Sequence, residues 1–351
     1  MKKDPGAKPP LLPPSLAIGG PGEIRVGPVL AIPVLLAEFG VSPQSAFAQA
    51  GVDLRLFDDP ENRIRIEVLG ALLETCVALT GCAHFGLLVG ERFDLQRLGP
   101  LGCLLGNSAT VGEAIRGLLL HFHIHDRGAA PVLLAPDPSR VILGYSVYRH
   151  GTPGSSQILD GAMAIGHAIM AELCGPAWKA LRVQFAHARP TDSAAYQRLF
   201  GANVSFDAEV SGLVFASSWL DRPIQGADPA LYALVAAAIR EAEAKVPMRL
   251  ADHVALVLPQ IVLSGMASGE VVARLFAIHP RTLRRRLERE GKSLRALITE
   301  ARFELAKQLL QNTALSVAAI AAALHYEDSN AFSRAFRSWS KRSPMQWRAG
   351  A

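Results

Sequence analysis

The last hundred or so residues of this chain repeat one pattern of apolar and polar positions, which predicts two helix-turn-helix units in tandem. Residues 268–290 read SGEVVARLFAIHPRTLRRRLERE, and residues 316–338 read SVAAIAAALHYEDSNAFSRAFRS. In each copy a short apolar helix and a turn precede a second helix that carries two large apolar side chains one helical turn apart. These pairs are Leu283 with Leu287 and Phe332 with Phe336. Because this spacing places both side chains on one stripe, each second helix is expected to bury that stripe and to expose a polar, basic face.

The same periodicity, together with capping residues, divides the C-terminal part into seven helices. Pro280 and Pro344 stand where the first turn of a helix tolerates a missing N–H, and Ser293, Ser316 and Ser343 are suited to cap the helices that follow. The predicted helices are 251–263, 269–277, 280–290, 294–311, 317–325, 329–339 and 344–348. The helix over 294–311 joins the two units and spans about 27 Å. That length can hold two DNA-reading helices about one DNA turn, near 34 Å, apart.

The preceding part of the chain mixes helix-like and strand-like patterns. Helices are predicted over 32–39, 43–51, 66–80, 158–175, 193–200 and 230–246, and Ser108 or Thr110 can cap another helix that begins near Val111. Strand-like runs occupy 131–137, 140–148, 181–187 and 211–218, and the first two can pair across the turn at 136–139. Helices before, between and after strands are typical of an α+β domain.

These patterns predict four segments. They are a disordered Pro/Gly-rich tail over 1–23, an α+β domain over 24–226, a connector helix over 227–250, and an all-α tandem helix-turn-helix domain over 251–351.

Charge is distributed unevenly between these segments. From Arg249 onward there are 16 Lys and Arg against 8 Asp and Glu, whereas the first 248 residues hold 20 against 23. A basic domain attached to a slightly acidic one indicates a nucleic-acid-binding domain coupled to a domain with another task.

Several other classes of protein find little support in the sequence. The four cysteines lack CxxC spacing, which favours reduced thiols in a cytoplasmic protein. Prolines interrupt the apolar run near the start, and no segment approaches the length of a membrane span, so we expect neither secretion nor a membrane partner. No Ser-His-Asp order, phosphate-binding loop or HExxH motif occurs. We therefore expect no enzymatic activity, no catalytic residue and no cofactor.

His121, His123 and His125 are the one group that suggests a metal site. On a strand all three would share a face, whereas on a helix His121 and His125 would do so. The preceding helical periodicity favours the helix, where histidines near the C-terminus complement the helix dipole. Because Asp126 is the only nearby acidic or cysteine ligand, we expect no metal here.

The C-terminal hundred residues resemble the signature of the AraC/XylS family of bacterial transcription regulators. The matching positions are Ile320-Ala321, Tyr326, Ser329-Asn330, Phe332, Arg334-Ala335-Phe336, Trp339, Ser343-Pro344 and Arg348. The family commonly has glycine in each turn, where this chain has Ala277 and His325. A residue other than glycine in a left-handed conformation costs roughly 1 kcal/mol, although histidine tolerates that region better than most.

The N-terminal part is similar, on weaker motifs, to the arabinose-binding-type sensor domain of one branch of that family. The similarity rests on Leu98 to Gly102, Gly112 to Ala114 and Tyr196 to Gly201. It implies binding of a small-molecule effector, which the sequence does not identify, and formation of a homodimer. A regulator of this kind is also expected to contact RNA polymerase.

In each helix-turn-helix unit the second helix is the recognition helix, which would enter the major groove. The exposed faces of these two helices supply the candidate DNA-binding residues. They are Arg281, Arg284 and Arg285 in the first unit and Ser329, Asn330, Ser333 and Arg334 in the second. Arginine can bind the O6 and N7 atoms of guanine, and asparagine the N6 and N7 atoms of adenine. Arg337, Lys341 and Arg342, and also Arg348, are expected to contact phosphates. Two plainer interpretations stay open: ion pairs with Glu288 and Glu290 in the first helix, and a capping role for Ser329 in the second.

The sequence thus predicts a cytoplasmic transcription regulator that senses a small molecule and binds double-stranded promoter DNA through two major-groove helices. The alternative is a metal- or ligand-binding module whose basic tail associates with DNA without specificity.

Overall fold

The computed structural model describes residues 18–147, 152–201, 203–208, 210–245, 249–263, 267–276, 278–312 and 315–350. An α+β domain comes first and a helical domain follows, as the sequence predicts.

The described residues of the N-terminal domain contain seven strands, five of which form its main sheet. The strands are β1 (Glu23–Arg25), β2 (Arg63–Arg65), β3 (Ala129–Asp137), β4 (Arg140–Val147), β5 (Arg182–Gln184), β6 (Asn203–Ser205) and β7 (Gly212–Ala216). The main sheet has the order β3-β4-β7-β5-β6, in which β5 and β6 are parallel and the other neighbours are antiparallel. Strands β1 and β2 form a separate antiparallel pair. The β3–β4 pairing that the sequence predicts is confirmed.

Nine helices of the described residues surround these sheets. They are α1 (Ile32–Glu38), α2 (Pro43–Gln49), α3 (Ile66–Thr80), α4 (Phe85–Glu91), α5 (Pro100–Gly106), α6 (Val111–His121), α7 (Ser155–Cys174), α8 (Ala194–Phe200) and α9 (Pro229–Lys245). Thr110 caps α6, since its hydroxyl accepts the Glu113 N–H at 3.2 Å.

Helices α4 and α7 approach each other so closely that glycine is needed at the contact. A Cβ on Gly86 would lie 2.1 Å from the Gln157 carbonyl oxygen, and a Cβ on Gly90 would lie 2.4 Å from that of Gly161. The Gln157 side chain completes the contact, because it accepts the Gly86 N–H at 2.8 Å and donates to the Ala83 carbonyl at 2.8 Å. This contact fixes the position of α7 beside β4.

Two findings refine the predicted segments. The helix expected as a connector, α9, packs its middle part into the N-terminal domain, where Val235, Ala236 and Ile239 are buried in the larger apolar core. At the other end, residues 18–22 of the predicted tail lie against the domain: Arg127 donates to the Gly19 carbonyl at 2.7 Å. Residues 1–17 lie outside the described residues.

The C-terminal domain contains seven helices in its described residues, as the sequence predicts. They are α10 (Leu250–Leu263), α11 (Gly269–Leu275), α12 (Pro280–Arg289), α13 (Leu294–Asn312), α14 (Val317–Ala323), α15 (Ser329–Ser340) and α16 (Pro344–Ala349). Ser293, Ser316 and Ser343 cap the helices that follow them, each through its hydroxyl. One apolar core joins α10 and α13 to both helix-turn-helix units and contains Leu283, Leu287, Phe332 and Phe336.

The two domains touch along the edge of the main sheet. Helix α10 packs against the edge strand β3, and the Ser146 hydroxyl of β4 donates to the Gln308 side-chain carbonyl of α13 at 3.3 Å. Among the described residues no single helix is long and apolar enough to span a membrane. Two sharply bent pairs of helices in the first 91 residues reach the length and apolar composition of a span only when the two helices of a pair are taken together.

Candidate functional site

Helix α12 presents an arginine-rich face to solvent. Leu283 and Leu287 are buried, at 1 % and 0 % exposure, which turns the opposite side of the helix outward. Arg281, Arg284 and Arg285 are all exposed. Among the described residues the Arg281 and Arg285 side chains make no hydrogen bond or ion pair, so their guanidinium groups are available to a ligand.

Of the two ion-pair partners considered as the plainer interpretation of α12, the structure pairs Glu288 with an arginine of this helix. Arg284 Nε lies 3.2 Å from Glu288 Oε1, and both side chains are exposed. Glu290 has a different task, because its carboxylate accepts the backbone N–H groups of Leu250 and Ala251 at 3.0 and 2.8 Å. It thereby caps α10 and ties the first unit to the helix that packs on the N-terminal domain.

Helix α15 presents a second polar face. Phe332 and Phe336 are fully buried, and Asn330 and Arg334 are exposed. Ser329 and Ser333 are partly buried at the edge of this face. Asp328 caps the helix, because its carboxylate accepts the Ala331 N–H at 2.6 Å. The capping role considered for Ser329 therefore belongs to its neighbour.

The structure separates the residues that are expected to contact phosphate. Arg337 and Arg342 are exposed. Lys341 is exposed as well, has a φ of 62° at the end of α15, and donates from Nζ to the Ser338 carbonyl at 3.0 Å. Arg348 differs from the expectation, because it donates to the carbonyls of Leu310 and Leu315 at 2.9 and 2.6 Å. Its partly buried guanidinium fixes the end of α13 instead of facing solvent.

The linking helix and the second turn match the sequence analysis. Helix α13 has 19 residues and therefore spans about 28 Å. His325 is left-handed with a φ of 58°, at the position where the resembled family commonly has glycine. Ala277, in the first turn, lies outside the described residues.

The N-terminal domain contains a partly open apolar cavity where α7 faces β4, with α3 and α4 forming other walls. The cavity has a volume of about 90 Å³. Of the described residues that line it, none carries a charged side chain, and the polar ones are His125, Tyr145 and Gln157. Both polar ends of the Gln157 side chain are used in the contact between α4 and α7.

One wall of the cavity holds buried polar groups. Asp126 accepts the N–H groups of Gly128 and Ala129 at 2.6 and 3.1 Å and the hydroxyl of Tyr145. Burial, opposed by these hydrogen bonds, raises the pKa of Asp126 to about 6. His125 is 3 % exposed, and its Nδ1 atom is buried without a hydrogen-bond partner among the described residues. Burial, reinforced by nearby arginine charges, holds the pKa of His125 well below its usual range, so the imidazole is neutral.

The neighbouring histidines face the junction between the domains. His121 Nδ1 lies 2.8 Å from Oε1 of Glu243 in α9. His123 Nε2 lies 3.1 Å from the same oxygen without the alignment of a hydrogen bond, and its ring stands 4.9 Å from that of His253 in α10. Burial raises the pKa of Glu243, but the contacts with His121 and His123 outweigh it and bring the pKa to about 2.

The expectation that His121 and His125 share a helical face was wrong. Helix α6 ends at His121, and a tighter turn over 122–124 follows it. This change of geometry places His121 and His123 together on Glu243 and sends His125 to the cavity. Within the part of the chain that the structure describes, no three His, Cys, Asp or Glu side chains form a group suited to a metal ion.

Sequence reasoning missed the cavity, the Glu290 cap and the contacts of Glu243. The cavity is formed by apolar residues from segments far apart in the chain, which carry no local motif. Glu290 and Glu243 look like ordinary exposed charges in the sequence, since their partners lie 39 or more residues away.

An α+β domain with an apolar cavity, joined to two helix-turn-helix units with basic faces, defines a DNA-binding regulator with a sensor domain. Residues 40–224 match the arabinose-binding domain of AraC transcription regulators, and residues 272–350 match a helix-turn-helix domain. The first match alone covers more than half of the chain. The chain therefore belongs to the AraC family of transcription regulators.

Individual relatives are similar over most of their length. The ornithine utilization regulator of Pseudomonas aeruginosa is 29% identical over 318 residues, which cover 90% of this chain and 93% of that protein. The regulator VirS of Mycobacterium tuberculosis is 28% identical over 279 residues, covering 79% and 82%. The crystal structure of the regulator CdpR from Pseudomonas aeruginosa aligns with 87% of this chain and 96% of its own, at 22% identity and a TM-score of 0.42.

Proposed function

We propose that this regulator reads promoter DNA by placing α12 and α15 in neighbouring major grooves. The observation that carries the proposal is the pair Arg281 and Arg285, which are exposed opposite the buried leucines and have no partner among the described residues. In this proposal Arg281, Arg285, Asn330 and Arg334 read bases, and Arg284 joins them when it leaves Glu288.

The remaining cations supply affinity that does not depend on sequence. Arg337, Lys341 and Arg342 lie at the C-terminal end of α15 or just beyond it, and all three are exposed. Contacts from such groups to phosphates orient the protein on DNA and make binding sensitive to salt. Ser329 and Ser333, at the edge of the face, contribute hydrogen bonds to the backbone or to base edges.

We further propose that residues 24–226 bind the effector and form a homodimer, that 227–250 connect the domains, and that 251–351 bind DNA. Residues 121–125 support a structural link between effector binding and DNA binding. Phe122 and His125 line the cavity, while His121 and His123 contact Glu243 and lie beside His253. A ligand that moves this segment changes how α10 sits on β3, and with it the spacing of the reading helices.

The same proposal assigns the protein to the cytoplasm, where it meets promoter DNA and RNA polymerase. It assigns no catalytic step to any residue, because membership of a family of transcription regulators and the basic faces of α12 and α15 account for the groups discussed above.

A competition experiment tests the proposal against a basic tail that associates with any DNA. The full chain is used to select sites from a random DNA library, and affinities for the selected site and for random DNA are compared at physiological salt. Specific binding is expected to exceed random binding by about 10³-fold or more. Equal affinities would favour the non-specific tail, and sedimentation of the free and DNA-bound protein tests the dimer.

A further inference from the structure

The apolar cavity of the N-terminal domain indicates what kind of molecule the sensor binds. We propose that the cavity takes a small, uncharged, largely apolar molecule that carries one hydrogen-bonding group, such as a hydroxyl or an amide, placed against His125. This inference rests on the proposal that the N-terminal domain binds an effector.

The size of the cavity limits the size of the ligand. Its 90 Å³ corresponds to about six to nine water-sized groups, at roughly 10–15 Å³ of such volume each. Leucine, isoleucine, valine and methionine make up 12 of the 23 described residues that line it, and seven of these twelve lie on α3, α4 and α7. A ligand with about six to nine non-hydrogen atoms would therefore be surrounded mainly by hydrocarbon.

The charge of the lining excludes charged ligands. None of the described lining residues is Asp, Glu, Lys or Arg. The ionisable groups behind the lining already have partners: Asp126 accepts the N–H groups of Gly128 and Ala129 and the hydroxyl of Tyr145, the Arg25 guanidinium pairs with Glu61, and Arg63 donates to the Ile124 carbonyl at 2.7 Å. An ammonium or carboxylate group buried here would lack a counter-ion, which is unfavourable in a low-dielectric interior. A sugar would leave most of its hydroxyl groups without partners.

Of the described lining residues, His125 is the one that carries an unpartnered polar atom. Its Nδ1 atom is buried and has no hydrogen-bond partner among the described residues, whereas the polar ends of Gln157 are occupied. A neutral imidazole nitrogen either donates or accepts, depending on its tautomer. A hydroxyl or an amide can match both tautomers, and it would satisfy a buried atom that otherwise costs stability.

The test measures the thermal unfolding midpoint of the full chain with a matched series of six-carbon compounds. The series contains 1-hexanol, hexanamide, hexanoate and hexylammonium, with a pentose as the polyhydroxyl compound and ethanol as the control for solvent effects. Hexanol and hexanamide are expected to raise the midpoint as their concentration rises, and the charged compounds and the pentose are not. A rise with hexanoate, hexylammonium or the pentose, or none with hexanol and hexanamide, overturns the proposal.

Two variants tie the response to the cavity. Ala162→Leu places a larger side chain in the lining and should abolish the response, whereas Ala168→Leu on the same helix, outside the lining, should keep it. His125→Phe should weaken hexanol binding about 3- to 10-fold, the worth of one net hydrogen bond, and leave the binding of hexane unchanged. A response that survives Ala162→Leu would place the binding elsewhere and overturn the proposal.

A DNA-binding measurement distinguishes this inference from the proposal that the bound ligand controls DNA affinity, called effector control below. Affinity for the selected DNA site is measured with and without hexanol. If hexanol stabilises the chain through the cavity but leaves DNA affinity unchanged, the ligand class stands and effector control fails. If DNA affinity responds instead to a charged molecule, and Ala162→Leu abolishes that response, effector control stands and the ligand class is wrong.

Discussion

Replacement of Arg285 by alanine should reduce DNA affinity selectively at one base pair. The side chain is exposed and has no partner among the described residues, so its removal should change the free energy of unfolding by less than about 0.5 kcal/mol. If its guanidinium binds a guanine edge in two places, the loss on the cognate site is about 1–3 kcal/mol, which is roughly a 5- to 150-fold weaker Kd. Random DNA should lose far less.

The assay is fluorescence anisotropy with the selected site, its single-base variants and random DNA at several salt concentrations. Arg342→Ala is the matched control for a phosphate contact: it should weaken binding to all sequences about equally and lower the salt slope by about one. Glu288→Gln is the control for the ion pair with Arg284, an exposed pair worth about 0.3–0.5 kcal/mol of stability, because it removes the pair and keeps the arginine available to DNA. Equal losses on cognate and random DNA for Arg285→Ala would refute base reading by this residue and assign it to the backbone.

Three further predictions concern stability. His325→Gly should raise the free energy of unfolding by about 0.5–1 kcal/mol because it relieves a φ of 58°, and a lower denaturant midpoint would mean that the contacts of the imidazole outweigh the strain. Gly86→Ala should lower the free energy of unfolding by about 3 kcal/mol or more, because its Cβ would lie 2.1 Å from the Gln157 carbonyl oxygen. Gly117→Ala is the control: its Cβ would lie 3.4 Å from its nearest neighbour, so this variant should not be destabilised. Equal denaturant midpoints for the two variants would contradict this account of the contact between α4 and α7. Burial lowers the pKa of His253 from 6.5 to about 4. As the pH falls, His253 is therefore protonated in the unfolded chain before it is protonated in the folded chain, and the free energy of unfolding should decrease between about pH 6.5 and pH 4. His253→Gln should lose less stability than the unmodified chain between pH 7.5 and pH 5, and identical losses would contradict the assignment.

Elements with a strong local signal were predictable from the sequence. Helix α3 begins and ends at the predicted residues, since its apolar periodicity is continuous and Gly81 at a φ of 68° stops it. The hairpin of β3 and β4 followed from its turn residues, and the recognition helices from their paired apolar residues. Strand β6 and helix α4 are short, and their stability comes from neighbours that are distant in the chain, so periodicity did not reveal them.

In the candidate site, too, the features set by local helical spacing were predictable and those set by distant parts of the chain were not. Exposure of Arg281, Arg285, Asn330 and Arg334 follows from helical spacing alone. The task of Arg348 does not, because it depends on where the end of α13 lies relative to α16. The placement of His125 was also beyond the sequence, since one tight turn after α6 rotates it away from His121.

A footprint of the full chain on its selected DNA site tests the central claim most directly. Hydroxyl-radical cleavage should reveal two protected segments whose centres lie about one DNA turn, or 10 base pairs, apart. Arg285→Ala should weaken protection and base preference in one segment, and Arg334→Ala in the other. A single protected segment, or two variants that weaken the same segment, would contradict the account in which α12 and α15 read neighbouring major grooves.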